Sequence, residues 1–322
     1  MLVPFGSLRE RFWRGPILFP ETDVRKTSLF IRLGVWSMNS YSFSPAGRGY
    51  GIRVNEDAFE KEARPMAELA NTTTAPSRIV VTGGSSGIGL AVARHYAAEG
   101  AVVGIIGRSD ERLARARAEL AGEPGDVRTA AADVGDESAL TAAVRDLGDE
   151  LGGIDLLVCS AGIDGEMGAA CEEVTTDSFR EVLDVNVVGA FVAVRTAIPF
   201  LKESPCGSVV LIGSDSGFVS VPGMLAYNAS KGALVQLTRA LAVELHDAHG
   251  IRVNSVCPSI VDTPLAREGL GVESFEHVDY PVQSAEDIAW SVAYLASPRS
   301  RAVNGVNLLS DFGYTGRSSF PA

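Results

Sequence analysis

The segment Ile79-Val80-Val81-Thr82-Gly83-Gly84-Ser85-Ser86-Gly87-Ile88-Gly89 joins a short apolar run to a glycine-rich turn. The apolar run predicts a buried strand, and the apolar spacing after the turn predicts a helix that ends at Gly100. In such a βαβ start, the helix N-terminus binds phosphate groups. Gly83 permits the tight turn, Gly87 lets the backbone approach a pyrophosphate, and Gly89 lets the helix pack closely on the sheet. We therefore predict a dinucleotide site here, and it also includes Ser85, Ser86 and Ile88.

The rest of the chain repeats the alternation of strand and helix. Further apolar segments predict strands at 102–106, 129–134, 154–159, 208–212, 251–256 and 306–309. Helical patterns separate them, and the longest run over 176–201 and 226–248. Apolar strands that alternate with helices are typical of a parallel sheet covered on both faces. We predict an α/β fold: a single doubly wound Rossmann-type domain with a seven-stranded parallel sheet and helices on both faces.

Residues 1–65 differ from this pattern. They hold two of the three tryptophans, a positive charge balance and no sustained helical or strand period. Prolines and glycines predict an irregular extension. Three interpretations remain open: a disordered segment, an organelle-targeting arm, or upstream sequence outside the functional protein. We favour Met66 as the functional start, which assigns 66–322 to the folded domain.

Composition excludes several kinds of partner. The formal net charge of −12 disfavours nucleic acid and anionic membranes as the main partner. The four cysteines form no Cys-x-x-Cys motif, so neither a disulfide framework nor a zinc site is predicted, and no other metal site is indicated. We find no apolar run long enough to span a bilayer. A reduced, cytoplasmic compartment fits best.

The end of the second predicted strand indicates which dinucleotide binds. An acidic residue at this point would accept a hydrogen bond from a ribose 2′-hydroxyl. The sequence has Gly107-Arg108-Ser109 instead, so a guanidinium is available for a 2′-phosphate. We predict NADP(H) over NAD(H), with Arg108 and Ser109 at the phosphate. The alternative is that Arg108 is only a solvated residue at the start of a basic helix.

Tyr227 and Lys231 lie four residues apart at the start of the long helix 226–248, so their side chains share one face. A free phenol has a pKa of about 10. A positive charge about 4 Å away at an effective dielectric of about 20 supplies roughly 4 kcal/mol, which would bring that pKa to about 7. The pair therefore predicts a general acid/base. The alternative is a tyrosine that packs under a lysine stem.

With Thr-Gly-x-x-x-Gly-x-Gly at 82–89 and Tyr-x-x-x-Lys at 227–231, the chain resembles the short-chain dehydrogenase/reductase family over about 77–315. The resemblance implies that Ser214 hydrogen-bonds the substrate oxygen and that Asn186 holds a water linked to Lys231. It also implies that Asp133 and Val134 contact adenine. It places Ser160, Ala161, Gly162, Tyr227, Lys231, Pro258, Ile260 and Thr263 near the cofactor, with Lys231 bound to the nicotinamide ribose.

Three departures from the family pattern concern the pocket. Cys159-Ser160-Ala161-Gly162 replaces Asn-Asn-Ala-Gly, Pro258-Ser259 replaces Pro-Gly, and Asp311-Phe312-Gly313 replaces Asp-Gly-Gly. None of them removes a catalytic group. We predict hydride transfer between NADP(H) and a carbonyl or secondary alcohol, with Asn186, Ser214, Tyr227 and Lys231 as the catalytic residues.

The segment at about 264–282 is predicted to form a substrate lid. It interleaves apolar residues with acidic ones, and its apolar residues favour a small, moderately hydrophobic substrate. A 3-oxoacyl-carrier-protein reductase is an alternative, but an acidic carrier protein would want a basic surface and the lid offers only Arg267. A dinucleotide-binding sensor without turnover is a second alternative. The resemblance further implies a homo-oligomer, a tetramer or a dimer, built on helices 176–201 and 226–248.

Overall fold

The computed structural model describes residues 41–46, 49–54 and 75–317. The chain divides into two units, Met1–Met66 and Ala67–Ala322. In the first, Tyr41–Ala46 and Gly49–Val54 pair as a two-stranded antiparallel sheet. The prediction of irregular structure is wrong for these two strands, because both are edge strands, where a proline such as Pro45 is tolerated. The rest of that prediction, and Met66 as a start, lie outside the described residues.

The second unit contains a seven-stranded sheet in which all strands are parallel, as predicted. Its strands are β1 (Arg78–Thr82), β2 (Val102–Gly107), β3 (Val127–Ala131), β4 (Leu156–Cys159), β5 (Ser208–Ile212), β6 (Arg252–Pro258) and β7 (Asn307–Ser310). The spatial order is β3-β2-β1-β4-β5-β6-β7. The order reverses between β1 and β4, and ligands bind at such a switch point, beyond the carboxyl ends of the strands.

Helices cover both faces of this sheet, which confirms the doubly wound class. They are α1 (Gly87–Ala98), α2 (Asp110–Glu119), α3 (Glu137–Glu150), α4 (Thr176–Leu183), α5 (Gly189–Leu201), α6 (Leu225–His249), α7 (Pro264–Leu270) and α8 (Ala285–Ala296). Helices α1, α2 and α8 contribute to one apolar core, and α3, α5 and α6 to the other. In β1, Ile79 and Val81 enter the first core and Val80 enters the second. Each such burial contributes about 1.5–3 kcal/mol.

The third strand differs from its predicted range of 129–134, since it ends at Ala131. Beyond it, the carboxylate of Asp133 accepts a hydrogen bond from the Gly135 amide at 2.9 Å, and the chain turns. Such a side-chain turn competes with strand pairing. Asp133 and Val134 therefore lie in a loop at the carboxyl edge of the sheet, where a bound nucleotide can reach them.

The predicted helix 176–201 is continuous but contains a π-helical turn at Asp184–Val188, between α4 and α5. Within the described residues, this is the one helix long and apolar enough to cross a membrane by length and composition. The expectation that no apolar run reaches that length is therefore wrong. Its apolar residues Val192, Val194 and Leu201 are nevertheless buried in the second core, as in a core helix. π-turns often mark functional sites, and this one carries Asn186.

Candidate active site

The glycine-rich turn after β1 is shaped by close backbone contacts. Gly83 has a φ of 70°, and a Cβ there would lie 2.8 Å from the Ala161 backbone. A Cβ on Gly89 would overlap the Gly83 carbonyl oxygen. These two positions therefore require glycine, and the turn lies directly against the loop that follows β4.

The first turn of α1 presents backbone N–H groups that can bind an anion. Its N-cap residue Ser86 is extended, and its side chain makes no capping hydrogen bond. The first N–H groups of a helix have no partner within the helix, and they carry the positive end of its dipole. Together with the glycine turn, this helix N-terminus fits the pyrophosphate of a dinucleotide.

A cavity of about 1260 Å³ opens beside this turn. It exceeds the roughly 300–1,000 Å³ of ordinary small-molecule sites, as a dinucleotide plus a substrate requires. Most of the predicted cofactor residues line it: Gly83, Ser85, Ser86, Gly87, Ile88, Arg108, Ser109, Asp133, Val134, Ser160, Ala161, Gly162 and Thr263. Gly89, Tyr227, Lys231, Pro258 and Ile260 are not among the lining residues. Gly89 packs behind the turn, Pro258 ends β6, and the Ile260 carbonyl accepts a hydrogen bond from the Gln283 amide.

The far end of the cavity is basic. Arg108, Arg112 and Arg115 all line it. Arg115 is paired with Glu111 at 2.8 Å, whereas between residues 75 and 317 we find no ion pair for Arg108 or Arg112. Ser109 caps α2 by accepting a hydrogen bond from the Arg112 amide at 3.3 Å. Sequence reasoning missed Arg112, although it lies one helical turn beyond Arg108.

Behind Gly162, the structure brings Asn186 and Lys231 together. A Cβ on Gly162 would lie 3.2 Å from Asn186 Oδ1 and 4.0 Å from Lys231 Nζ. The Asn186 amide accepts from the Ile163 N–H at 2.8 Å and donates to the Ile163 carbonyl at 2.9 Å and to Ser230 Oγ at 3.0 Å. Lys231 Nζ donates to the Ile212 carbonyl at 3.0 Å. Both side chains are thus fixed directly behind Gly162, which lines the cavity.

Ser214 and Tyr227 complete this cluster. Ser214 follows β5, and its hydroxyl accepts from the Ser216 amide at 3.1 Å and donates to Asp215 at 3.0 Å. Tyr227 lies in the first turn of α6. Burial raises the pKa of the Tyr227 phenol, the Asp164 carboxylate raises it further, and a hydrogen bond with Ser214 lowers it. The phenol is therefore a protonated group that can donate to an oxygen in the cavity.

The charge relation between Tyr227 and Lys231 differs from the sequence prediction. Lys231 Nζ lies over the Tyr227 ring, 5.3 Å from its centre. Burial lowers the pKa of the Lys231 ammonium to about 8, although the Cys257 thiol and the Asp164 carboxylate raise it. The sequence predicted a lowered phenol pKa, whereas burial raises it here and Lys231 is not among the groups that lower it.

A carboxylate that sequence reasoning missed lies in the same cavity. Asp164 is half-buried in the loop after β4 and lines the cavity with Met167 and Glu268. Burial raises the pKa of Asp164, the charge of Lys231 lowers it, and the charge of Glu268 raises it. No sequence signal marked this position, because it depends on the path of an irregular loop.

The predicted lid begins as α7, which Thr263 caps by accepting from the Ala266 amide at 3.2 Å. Leu265, Glu268 and Gly269 of this helix line the cavity. Leu270 and Tyr280 are exposed instead, and Phe275 is buried. The lid therefore presents both an apolar and an acidic side chain to the cavity.

Two of the three departures from the family pattern, at Cys159 and Phe312, lie outside the cavity lining. Cys159 is buried at the end of β4, and burial raises its pKa to about 12, so it is an inert thiol. Phe312 has a φ of 53°, is 58% exposed, and is absent from the cavity lining among the described residues. Its left-handed backbone explains why glycine is the easier residue there. Neither residue alters the substrate pocket.

The chain is similar in sequence and in structure to known proteins. A family model described as Enoyl-(Acyl carrier protein) reductase matches residues 83–315. The chain is 35% identical to 2-(R)-hydroxypropyl-CoM dehydrogenase from Xanthobacter autotrophicus, over 73% of this chain and 97% of that protein. It is 34% identical to NADP-dependent (R)-specific alcohol dehydrogenase from Lentilactobacillus kefiri, over 73% and 95%. A short-chain dehydrogenase from Burkholderia cenocepacia, solved with NADP, superposes with a TM-score of 0.67 at 34% identity, over 73% and 96%.

Proposed function

The chain belongs to the short-chain dehydrogenase/reductase family, and from this premise we propose that it transfers a hydride between NADP(H) and a small, moderately hydrophobic ketone or secondary alcohol. Membership makes it an NAD(P)-dependent oxidoreductase that acts on CH–OH or carbonyl groups. One observation carries the finer proposal. Gly162 lines the cavity with Lys231 directly behind it and Tyr227 and Ser214 next to Lys231, while Arg108 and Arg112 line the same cavity.

The cofactor would be held by the residues already described. The glycine turn and the uncapped start of α1 would bind the pyrophosphate, and Arg108 with Arg112 would bind the 2′-phosphate. When bound, NADP(H) supplies or accepts the hydride. Gly83, Ala161 and Gly162 have small or absent side chains, so a bound cofactor could approach the backbone closely at these residues.

In reduction, Ser214 and Tyr227 would donate hydrogen bonds to the substrate carbonyl oxygen and stabilise the charge that develops there. As the carbonyl carbon gains the hydride, the Tyr227 O–H bond breaks and its proton forms the product hydroxyl. The electron pair of that O–H bond remains on the phenolate. In oxidation, each step runs in reverse.

The tyrosine must then recover its proton from solvent. Lys231 has a pKa of about 8, so it can both give and take a proton near neutral pH. Asn186 lies next to Lys231 behind Gly162 and is held at both polar atoms. Lys231 would pass protons between the Tyr227 phenol and a water at Asn186.

Cofactor preference gives a direct prediction. The double change Arg108→Ser with Arg112→Ser is expected to raise KM for NADPH by about 10²–10⁴-fold, because it removes two charged hydrogen bonds to phosphate, each worth roughly 1.5–3 kcal/mol. KM for NADH is expected to change much less, since NADH lacks the 2′-phosphate. Arg117→Ser, on the same helix but outside the cavity lining, is the matched control. Equal changes with both cofactors would contradict the assignment.

The function itself is tested by nicotinamide absorbance with the full chain and a panel of ketones, secondary alcohols and acyl thioesters. We expect turnover of small ketones and alcohols that is faster with the phosphorylated cofactor. Turnover confined to acyl thioesters would favour the carrier-protein alternative. That alternative is disfavoured because Arg267, the one basic residue of the lid, is paired with Asp262 at 2.6 and 2.9 Å. Tight NADPH binding without any turnover would favour a sensor.

We further propose a homo-oligomer in a reduced, cytoplasmic compartment. The two long helical segments expose apolar side chains that a second copy could cover: Val188, Phe191, Leu225 and Val243. All four cysteines are free thiols, which suits a reducing compartment. Light scattering of the purified chain would show a mass of two or four chains, and a monomer would contradict the first proposal. Cell fractionation tests the second.

A further inference from the structure

We propose that Asp164 determines substrate specificity by accepting a hydrogen bond from a hydroxyl group on the carbon next to the reacting carbonyl. The substrate class would then be α-hydroxyketones and the vicinal diols formed from them. This inference rests on the proposed function and adds to it the polar group that the substrate carries.

The backbone holds Asp164 in place on both sides. The preceding residue, Ile163, is bound through its N–H and its carbonyl by the side chain of Asn186. The following residues turn through left-handed glycines, Gly165 with a φ of 75° and Gly168 with a φ of 80°. The Gly168 amide donates to the Gly223 carbonyl at 2.8 Å, which ties this loop to the one that precedes Tyr227. A preorganised acceptor loses little entropy when a ligand binds.

The Asp164 carboxylate lies within electrostatic reach of the catalytic groups. It raises the pKa of Tyr227, and it is itself affected by the charges of Lys231 and Glu268. Neither a hydrogen bond nor an ion pair of this carboxylate is found between residues 75 and 317. Lys231 does not neutralise it by contact, since its ammonium donates to the Ile212 carbonyl. A half-buried carboxylate with free acceptor oxygens in a substrate cavity favours a ligand that donates to it.

The lid also approaches this carboxylate. A Cβ on Gly269 of α7 would lie 2.7 Å from Asp164 Oδ2, so the glycine lets the lid helix pass close to it. Met167 lies on the same side, with its Cε 3.7 Å from that Cβ position. Asp164 is therefore enclosed by the lid rather than by open solvent, and a donor placed there is partly shielded from water, which strengthens its hydrogen bond.

A neutral hydroxyl suits this site better than a charged group. Asp164, Asp215 and Glu268 make the region around Tyr227 acidic, which disfavours an anionic substituent. The ammonium of Lys231 behind Gly162 disfavours a cation beside the reacting carbon. A hydroxyl can donate to Asp164 without adding charge. Asp164 lines the cavity two residues beyond Gly162, the residue directly in front of Lys231 Nζ, so a hydroxyl bound to it would lie close to the reacting carbonyl carbon.

The test compares 3-hydroxybutan-2-one with butan-2-one, which differ only in the hydroxyl, using NADPH and the full chain. We expect the wild type to have the higher kcat/KM for the hydroxyketone. Asp164→Ala is expected to lower the ratio of the two kcat/KM values by about 10–100-fold, as expected for loss of a hydrogen bond to a charged acceptor. Asp164→Asn keeps an acceptor oxygen and the shape of the side chain, so its ratio should lie between those of the wild type and Asp164→Ala.

Glu268→Gln separates contact from net charge, because it removes a second carboxylate from the same cavity. The ratio of the two kcat/KM values for Glu268→Gln should stay within about twofold of the wild-type ratio, because a direct hydrogen bond to the substrate contributes several times more free energy than the charge of a nearby carboxylate. An equal fall in Glu268→Gln and Asp164→Ala would overturn the inference in favour of a general charge effect. A wild type that reduces butan-2-one as well as the hydroxyketone would also overturn it and leave the proposed function intact. Turnover of neither ketone would contradict the inference, and only absence of turnover with the whole panel of ketones and secondary alcohols would contradict the proposed function as well.

Discussion

Replacing Tyr227 with Phe is expected to lower kcat for ketone reduction by about 10²–10⁴-fold, the range that general acid catalysis supplies. The change removes only the phenolic oxygen. Burial keeps that phenol protonated, and Ser214 hydrogen-bonds it, so no other group of the cluster is placed to deliver the same proton. Steady-state NADPH oxidation with a saturating substrate measures the effect.

A control variant and a binding measurement separate loss of the acid from a general loss of structure or of cofactor binding. Tyr294→Phe, on the exposed stacked pair of Trp290 and Tyr294, is the matched control and should retain wild-type kcat. Binding of NADPH by Tyr227→Phe, followed by fluorescence titration, should persist, because the glycine turn and the arginines remain. A kcat for Tyr227→Phe within threefold of the wild type would show that Tyr227 is not the acid.

Asp155→Ala is expected to lower the free energy of unfolding by about 3–5 kcal/mol, as when one partner of a buried ion pair is removed. Asp155 precedes β4 and is 3% exposed. It accepts hydrogen bonds from the Ser77 amide and hydroxyl, the Arg78 amide and guanidinium, and the Ser204 hydroxyl. The loss would leave the partly exposed Arg78 guanidinium without its carboxylate and the Ser77 and Ser204 donors without this acceptor. Urea unfolding followed by far-ultraviolet circular dichroism measures it.

The pH dependence of this stabilisation follows from the pKa of Asp155. Burial alone would raise that pKa, but the hydrogen bonds of Arg78, Ser204 and Ser77 and the charge of Arg78 lower it to about 2. A lowered folded-state pKa means that the stabilisation is present above the ordinary value of 3.8 and is lost as pH falls through about 2. The difference between wild type and variant should therefore be constant at neutral pH and shrink in strong acid.

An exposed ion pair supplies the control for this experiment. Asp126 and Arg128 are 2.6 Å apart, but their side chains are 50% and 45% exposed. Asp126→Ala should therefore cost less than about 1 kcal/mol, because solvent screens such pairs. Equal losses in the two variants would contradict the assignment of a buried network to Asp155.

The sequence predicted the fold because each strand carries its own signal. Runs such as Ile79–Val81 are apolar on both sides, which only a doubly covered sheet explains. The glycine turn follows β1 and lies at the cavity, and Tyr227 and Lys231 lie in the first turns of α6, where their spacing predicted a helix. Boundaries set by side-chain turns were harder to predict. The Asp133 side chain, for instance, ends the third strand earlier than its apolar pattern indicates.

The charge environment of the catalytic side chains and the paths of the loops could not be predicted from the sequence. A helical face shows that Lys231 and Tyr227 are neighbours, but not that the ammonium lies over the ring and bonds to Ile212. Asp164 gave no signal because its position depends on the contacts of Asn186 and two left-handed glycines. Of the arginines at the basic end of the cavity, the sequence analysis named Arg108 but not Arg112.

The central claim is that the chain moves a hydride from NADPH to a carbonyl carbon while Tyr227 supplies the proton. The most direct measurement uses NADPH deuterated at the transferable position of its nicotinamide, with mass spectrometry of the alcohol formed from 3-hydroxybutan-2-one. We expect one deuterium on the new carbinol carbon of the product made by the wild type, and little product from Tyr227→Phe. An unlabelled alcohol, or a labelled product formed equally well by Tyr227→Phe, would contradict it.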